Sequence, residues 1–396
     1  MTTQETLKRV CALAREKADL KRIEIARRRQ AAMFEWQEAD YIPLNFGVNV
    51  PEIKEIPDYD WHEQFHDPAK SFITQMKGAV CVLAAKSDSI SSLRADMGVI
   101  NGPALFGAQF DVPTHTKPVV TQYVPKEKLR GFVLPDDLRG LGTVDRLIEH
   151  MEHHAAALKA NGLWGIVGLH HCDTQGPFDI AEQTRGHDIF TDFFEDPEFV
   201  HGLMEQATRA YIGLSVLTKG LAGDGPTRGS ASGFWMEKGG VRMCDDSGIL
   251  LSAKVYDEFV LPYMARGLAH FGGGWLHYCG GVPGGGRVEG LHIHPSYFRI
   301  PDLKALNFTT GRDYPAEVKK VLDHKIAYVG GIPRGPEEDL EAYFTRILGL
   351  CPGRKGLIFG GQIKTDAERA VAMDTWHRVQ DRVFGKQAPR AKKTRK

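Results

Sequence analysis

Cysteine is scarce and scattered: the six in 396 residues, Cys11, Cys81, Cys172, Cys244, Cys279 and Cys351, include no CxxC pair. That excludes a disulfide scaffold and leaves any cysteine chemistry to thiolates. Long apolar runs are missing as well. No stretch approaches the run of about 18 apolar residues that a membrane-crossing helix needs. The opening MTTQETLKRV lacks the apolar core of a secretory signal, so a soluble, cytoplasmic protein is expected. Neither sign of charge is in excess, because 50 Lys+Arg meet 50 Asp+Glu, and nothing global favours nucleic acid or a membrane as partner. Basic charge is local, at residues 21–29 and in a tail from 386 to 396 that reads as disordered. No GxGxxG follows a strand with an acidic residue at the distance a dinucleotide fold requires, and the glycine-rich GGVPGGG and GDGPTRGSASG lack the GK[ST] ending of a phosphate loop. These two segments are expected to be mobile lids over the mouth of the fold.

What is present is a long chain of alternating elements. Its length exceeds the size at which most single cores stop growing, which leaves two domains or one large α/β barrel. Residues 5–38 read as helix, with an apolar stripe of Leu7, Val10, Leu13, Leu20 and Ile23 able to pack on the domain or to pair with another subunit in a homodimer. Beyond it, short apolar runs alternate with amphipathic helices, the pattern of a mostly parallel sheet covered by helices. The candidate strands are residues 41–46, 79–84, 163–169, 240–244, 275–279, 305–308, 326–329 and 357–359, the eight a closed barrel needs. Val144, Leu147, Met151, Ala155 and Leu158 fall at helical spacing before an Asn161-Gly162 stop, and Asp196 caps a second clear helix. The expected division is an N-terminal helical extension over 1–40, a catalytic barrel over 41–383 and a basic tail over 384–396.

Three constellations can carry chemistry. In GGGWLHYCGGVPGGG, His277 and Cys279 lie two apart on a strand, hence on one side of it and roughly 6.6 Å apart along it. An imidazole and a thiolate so placed can lean together on one zinc ion, and an ordinary buried cysteine beside a hydrogen-bonded histidine would show the same spacing. In a barrel both sit at the carboxyl face, where such enzymes place their sites, whereas Cys351 precedes its strand and is set aside. HHCDTQGPF puts His170, His171, Cys172 and Asp173 just past another strand, where they can complete a metal shell, serve as acid, base and substrate clamp, or simply close the strand end. In MCDDSGI, Asp245 and Asp246 follow a strand directly. Adjacent carboxylates do not both stay ionised cheaply, so one is expected to have a raised pKa or to hold a cationic or amide-bearing ligand, unless one merely caps the turn at Ser247-Gly248.

Taken together, GPFDIAEQTRG before a DPEFV helix, DDSGILLSAKVYDEFVLPY, WLHYCGG, LKALNFTTG and YVGGIP resemble, in order and spacing, the uroporphyrinogen decarboxylase superfamily. The resemblance covers residues 163–361 well and the first 160 poorly. It implies one (β/α)8 TIM barrel with N-terminal helical additions and offers two branches: metal-free decarboxylases of tetrapyrroles, and zinc methyltransferases that exchange methyl groups between a corrinoid and a thiol or methylated substrate. The arginine-rich motif with which the decarboxylases grip propionates is absent from RRRQAAMFEWQEADYIPLNFG, which holds only Arg27, Arg28 and Arg29. His277 and Cys279 match the His-x-Cys strand of the methyltransferases, while their second cysteine falls at Gln362 in LIFGGQI. A remaining zinc ligand must then come from Cys172, His170, His171, Asp245 or Asp246, and Cys172 is taken as the third. The leading expectation is a zinc-assisted methyltransferase acting on a small molecule, with methylcobalamin or a corrinoid protein as its other partner. Asp245, Asp246, His170 and His171 would orient substrate or move protons, and Gln362 and Asn307 would hydrogen-bond the bound ligand. A metal-free decarboxylase of a carboxylated substrate and a non-catalytic corrinoid-binding barrel are the alternatives.

Overall fold

A computed structural model of the chain describes residues 1–280 and 289–386. The GGVPGGG segment from Gly281 onward, read above as a lid, and the tail from residue 387 lie outside the described residues. Eight short strands carry the architecture: β1 (Leu44–Asn45), β2 (Ser92–Leu93), β3 (Gly168–Leu169), β4 (Arg242–Cys244), β5 (Gly274–His277), β6 (Leu303–Asn307), β7 (Ala327–Gly330) and β8 (Leu357–Gly360). Six form one parallel sheet in the order β1-β8-β7-β6-β5-β4, and β2 pairs in parallel with β3. Pairing of the first strand with the last, Leu44 opposite Phe359, is what a fold of the TIM type requires.

Each strand is buried on both faces, so its alternate residues enter two apolar layers. Leu276, Leu306, Tyr328 and Phe359 point outward into the large core beneath the helices. Trp275, Ala305, Ala327, Val329 and Ile358 form a separate inner cluster with Met33 and Phe34 from the helix Leu20–Phe34 and with Ala231, Phe234 and Met236 from the hairpin of Gly229–Ala231 and Phe234–Met236. The helix and the hairpin are tied together by the Gln30 side chain, which accepts from Trp235 N and donates to Asp88 O. Both precede the strands they plug, so the interior is sealed from the amino-terminal side.

Three expectations change. The apolar run at 79–84 is the end of the helix Pro68–Ala84, started by Asp67 accepting from the amides of Ala69 and Lys70, and the second strand falls later, at Ser92–Leu93. This helix packs against both Thr3–Lys17 and Val144–Ala160, and a helix covered on two sides reads as a continuous apolar run, as a buried strand does. The long N-terminal helix is two helices, Thr3–Lys17 and Leu20–Phe34, because Asp19 caps a new start by accepting from Arg22 N; Leu20 is consequently exposed. GDGPTRGSASG is no lid: it leads into the hairpin that plugs the interior, with Ser230 bridging to His170 and Gly233 N donating to Ser92 Oγ. The basic stretch at 21–29 is turned inward in part, Arg29 pairing with Asp40 and Asp88 and Arg27 donating to Gly165 O, so neither is free to grip a substrate carboxylate.

The helix Val144–Ala160 carries a second device. His150 and His154, one turn apart, are buried, His154 against the Phe72 ring, and among the described residues no ring nitrogen of either has a hydrogen-bond partner. Burial pushes His150 down to about 4 and His154 well below the ordinary histidine value. The unfolded chain takes up protons at these rings below pH ~6.5 while the folded chain does not, so stability is complete above that pH and falls beneath it, by about 1.4 kcal/mol per pH unit for each ring. Urea unfolding between pH 7 and 5 is expected to show this loss, and a His150→Leu/His154→Leu double variant to show a shallower slope by about two protons. An unchanged slope would assign the acid sensitivity to other groups.

Candidate metal centre

Arg242 lies opposite Trp275, Met243 opposite Leu276 and Cys244 opposite His277 where β4 and β5 pair, and Asp245 N donates to His277 O to carry the ladder one residue further. Since Trp275 faces the interior, so does His277 on its strand, with Cys279 two residues past the strand's end; on the neighbouring strand Arg242 and Cys244 share that side, with Asp246 just beyond. The two columns bring Asp246, His277 and Cys279 together at the carboxyl end, with one donor atom of each within 4.8 Å of the others. His277 Nε2 is 3.1 Å from Cys279 Sγ, and Cys279 N donates to Asp246 Oδ1 at 2.6 Å. Thr309 Oγ1 donates to Cys279 O at 2.6 Å, which fastens the end of the strand to the segment after β6.

The orientation of His277 follows from a chain of obligatory donors and acceptors. Val329 O can only accept, so Asn307 presents Nδ2 to it and turns Oδ1 to His277. His277 Nδ1 therefore carries the proton that it donates to Asn307 Oδ1 at 2.5 Å, and the Nε2 lone pair faces the thiol. Gly330 is required here: its φ is +144°, and a Cβ at that position would collide with Asn307 Nδ2. Burial and the nearby Arg242 guanidinium hold His277 below the ordinary histidine range, which keeps the ring neutral. Burial and the Asp246 carboxylate push the Cys279 thiol up to about 11.

Asp246 is held in turn by Asp179, whose carboxylate accepts from Asp246 N at 3.1 Å and Ser247 N at 2.7 Å. Burial, together with Asp246 and Asp245, raises Asp179 well above the usual carboxylate range. The adjacent Asp245 points the other way, behind the strand, where Oδ2 accepts from Tyr256 and Tyr297 hydroxyls at 2.7 and 2.8 Å. Burial pushes it up to about 7 against these two donors. Asp245 thus stands among the helices rather than at the mouth.

The other predicted residues are dispersed. Cys172 is buried against Thr218, 3.9 Å from its hydroxyl, and among the described residues it is not in the group of Asp246, His277 and Cys279; the chain leaves β3 outward at that point and takes the thiol with it. His171 accepts the amide of Arg242 at Nε2, which commits it to holding β3 against β4. His170 faces the interior with Nδ1 hydrogen-bonded to His171 O, and burial pushes it down to about 3. Gln362 lies past β8 with Oε1 accepting from Arg334 N, so it clamps the neighbouring loop. Asn307 touches the site through His277. Sequence reasoning missed Asp179, which grips Asp246, and the inward-facing Arg242; an arginine flanked by apolar residues in GVRMC was the visible sign of an inward charge.

The chain matches no family model and no curated protein. Among solved structures it is similar to a methyltransferase from Methanosarcina mazei, with 15% sequence identity, a TM-score of 0.63, and 90% of this chain and 98% of that chain covered. The likeness is one of fold. Because 90% of the chain is covered, it reaches into the first 160 residues, where the sequence resemblance was poor.

A prediction separates the two adjacent aspartates. An acid whose folded pKa is raised retains its proton in the folded state only, so Asp245 lowers stability as pH rises from ~4 through 7. Asp245→Asn is expected to flatten that decline, seen by comparing unfolding at pH 6 and pH 8. An equally steep decline in this variant would assign it to other groups.

Proposed function

We propose that the chain is a zinc-assisted methyltransferase that moves a methyl group between a corrinoid and a thiol or methylated small molecule, on a closed (β/α)8 barrel of the uroporphyrinogen decarboxylase superfamily. The observation that carries this reading is the meeting of Asp246, His277 and Cys279 at the open end of two adjacent strands. An imidazole, a thiolate and a carboxylate are three ligands zinc accepts, and three protein ligands leave the fourth position for substrate, as catalytic sites do. Zinc with bonds of roughly 2.0 to 2.3 Å holds neighbouring nitrogen and sulfur ligands about 3.5 Å apart, close to the separation of His277 and Cys279. Asp246 takes the place assigned to Cys172 and removes the difficulty posed by Gln362. The corrinoid rests on the resemblance of the five sequence segments, and the methyltransferase of similar fold agrees with that reading.

When bound, zinc supplies the positive charge that keeps a substrate thiol as thiolate or polarises the atom losing its methyl group. The protein's own groups prepare for this. Asn307 fixes the His277 tautomer so that Nε2 is ready to donate its lone pair, the orienting role that partners of metal-binding histidines play. Asp179 pins the Asp246–Ser247 turn by both amides. Cys279 keeps its proton when no cation is beside it, so uptake of zinc releases one proton.

The purified protein is expected to contain one zinc per chain by elemental analysis. His277→Ala/Cys279→Ala is expected to contain none, and Asn307→Leu to bind it about 10- to 100-fold more weakly. Methylcobalamin incubated with candidate thiols is expected to lose its spectrum only when zinc is present. Full methyl transfer by metal-free protein would remove the zinc reading.

A further inference from the structure

One layer below His277, the inward side of β4 carries Arg242, and the inward side of β2 continues from Ser92 to Arg94. A cavity of about 450 Å³ lies against them, bordered by Arg94, Asp96, His170, Arg242 and the hairpin tip Ser232-Gly233. The carboxylate on its wall, Asp96, and the neighbouring Asp173 are already supplied. Arg94 reaches Asp173 at 2.8 Å and Asp96 at 3.0 Å, and Lys117 reaches Asp96 at 3.2 Å. Gln175 Nε2 donates to Asp173 Oδ1, and Gly98 N donates to Asp96 Oδ1.

Arg242 is left over. Its closest carboxylate is Asp173 at 3.6 Å, its guanidinium makes no hydrogen bond among the described residues, and its Nε is buried without a partner. The group lies 5.5 Å from the centre of the Trp275 ring, which backs it with an apolar face. A buried Nε–H without an acceptor, on a guanidinium whose other end reaches Asp173 only at 3.6 Å, is an uncommon arrangement, because buried donors are nearly always satisfied. Arg94, Lys117 and Arg242 stand against Asp96 and Asp173, with Asp246 also acting on Arg242, so Arg242 is the one cation of the group that lacks a carboxylate at hydrogen-bond distance. A planar carboxylate fits the guanidinium fork. His170, whose Nδ1 is occupied by His171 O, offers Nε2 to a hydroxyl or amide on the same ligand.

We propose that this cavity binds the carboxylate of the substrate on Arg242, and that the substrate is a small carboxylic acid bearing its reactive methyl group or thiol at the far end. The second part rests on the methyl-transfer reading. Arg242 lies opposite Trp275, two residues before His277, so anchor and reacting layers are separated by roughly 6.6 Å along the strands, a span of about four or five bonds.

The test uses the full-length protein as purified, with methoxyacetate and its uncharged analogue methoxyacetamide as probes in calorimetry or ligand-observed NMR. Methoxyacetate is expected to bind at least tenfold more tightly than the amide. Arg242→Met is expected to erase that preference with zinc content unchanged, and Arg242→Lys, which keeps the charge and loses the fork, to retain part of it. Equal binding of the two probes by the unaltered protein overturns the proposal even if the variants fail to fold, as does a preference that survives in Arg242→Met. A carboxylate preference in protein that binds no zinc would keep the anion site and discard the methyl-transfer reading.

Discussion

Everything at the mouth of this fold depends on the register of one strand pair, Cys244 opposite His277. Side chains alternate with a period of two, so a slip of one residue on either strand would send a whole column to the other face. In the register observed, Asp246, His277 and Cys279 converge while Asp245 is carried outward onto Tyr256 and Tyr297. Two neighbouring aspartates thereby acquire different surroundings. Register is protected by the cost of the alternative, which would bury Asp246 among hydrocarbon and expose Leu276 and Tyr278, both fully buried now.

The interior is divided along its axis. Its amino-terminal part is closed with apolar side chains from the helix Leu20–Phe34 and from the hairpin, and the hairpin's neck is gripped by Lys219, whose ammonium donates to the carbonyls of Arg228 and Gly240. Polar groups begin above that seal, first the ionic layer of Arg94, Asp173 and Arg242, then the donors of Asp246, His277 and Cys279. Apolar packing supplies stability at one end, and the polar groups gather at the other. The ionic layer tolerates burial because Arg94 and its two carboxylates satisfy one another, and a buried charge is retained cheaply only when paired and hydrogen-bonded.

The second strand illustrates why part of the fold was illegible. GAVCVLAA satisfies the rule for a buried strand, and only its coverage by two other helices makes it helical. The true second strand, Ser92–Leu93, contains two residues, too short to show a period. GDGPTRGSASG has a loop's composition, yet its role depends on Trp275, Phe34 and Ser92, which lie far away in sequence. The helix Pro197–Ala222, by contrast, was readable from its start as far as Leu217, since its cap at Asp196 and its stripe of Phe199, Leu203, Ala207, Ala210 and Leu214 are local signals.

The same division applies to the site. His277 and Cys279 were visible in the sequence alone because two residues on one strand share a side whatever surrounds them. The sequence also determined that carboxylates, imidazoles and a thiol follow strand ends, which limited the candidates without choosing among them. That Asp246, and not Cys172, His171 or Asp245, stands with His277 and Cys279 was decided by tertiary structure, through strand pairing, the outward turn after β3 and the amide grip of Asp179. Asn307 shows the reason most simply: its effect on His277 needs a carbonyl on β7 and a glycine beside it, and no spacing along one chain segment encodes a contact made across three strands.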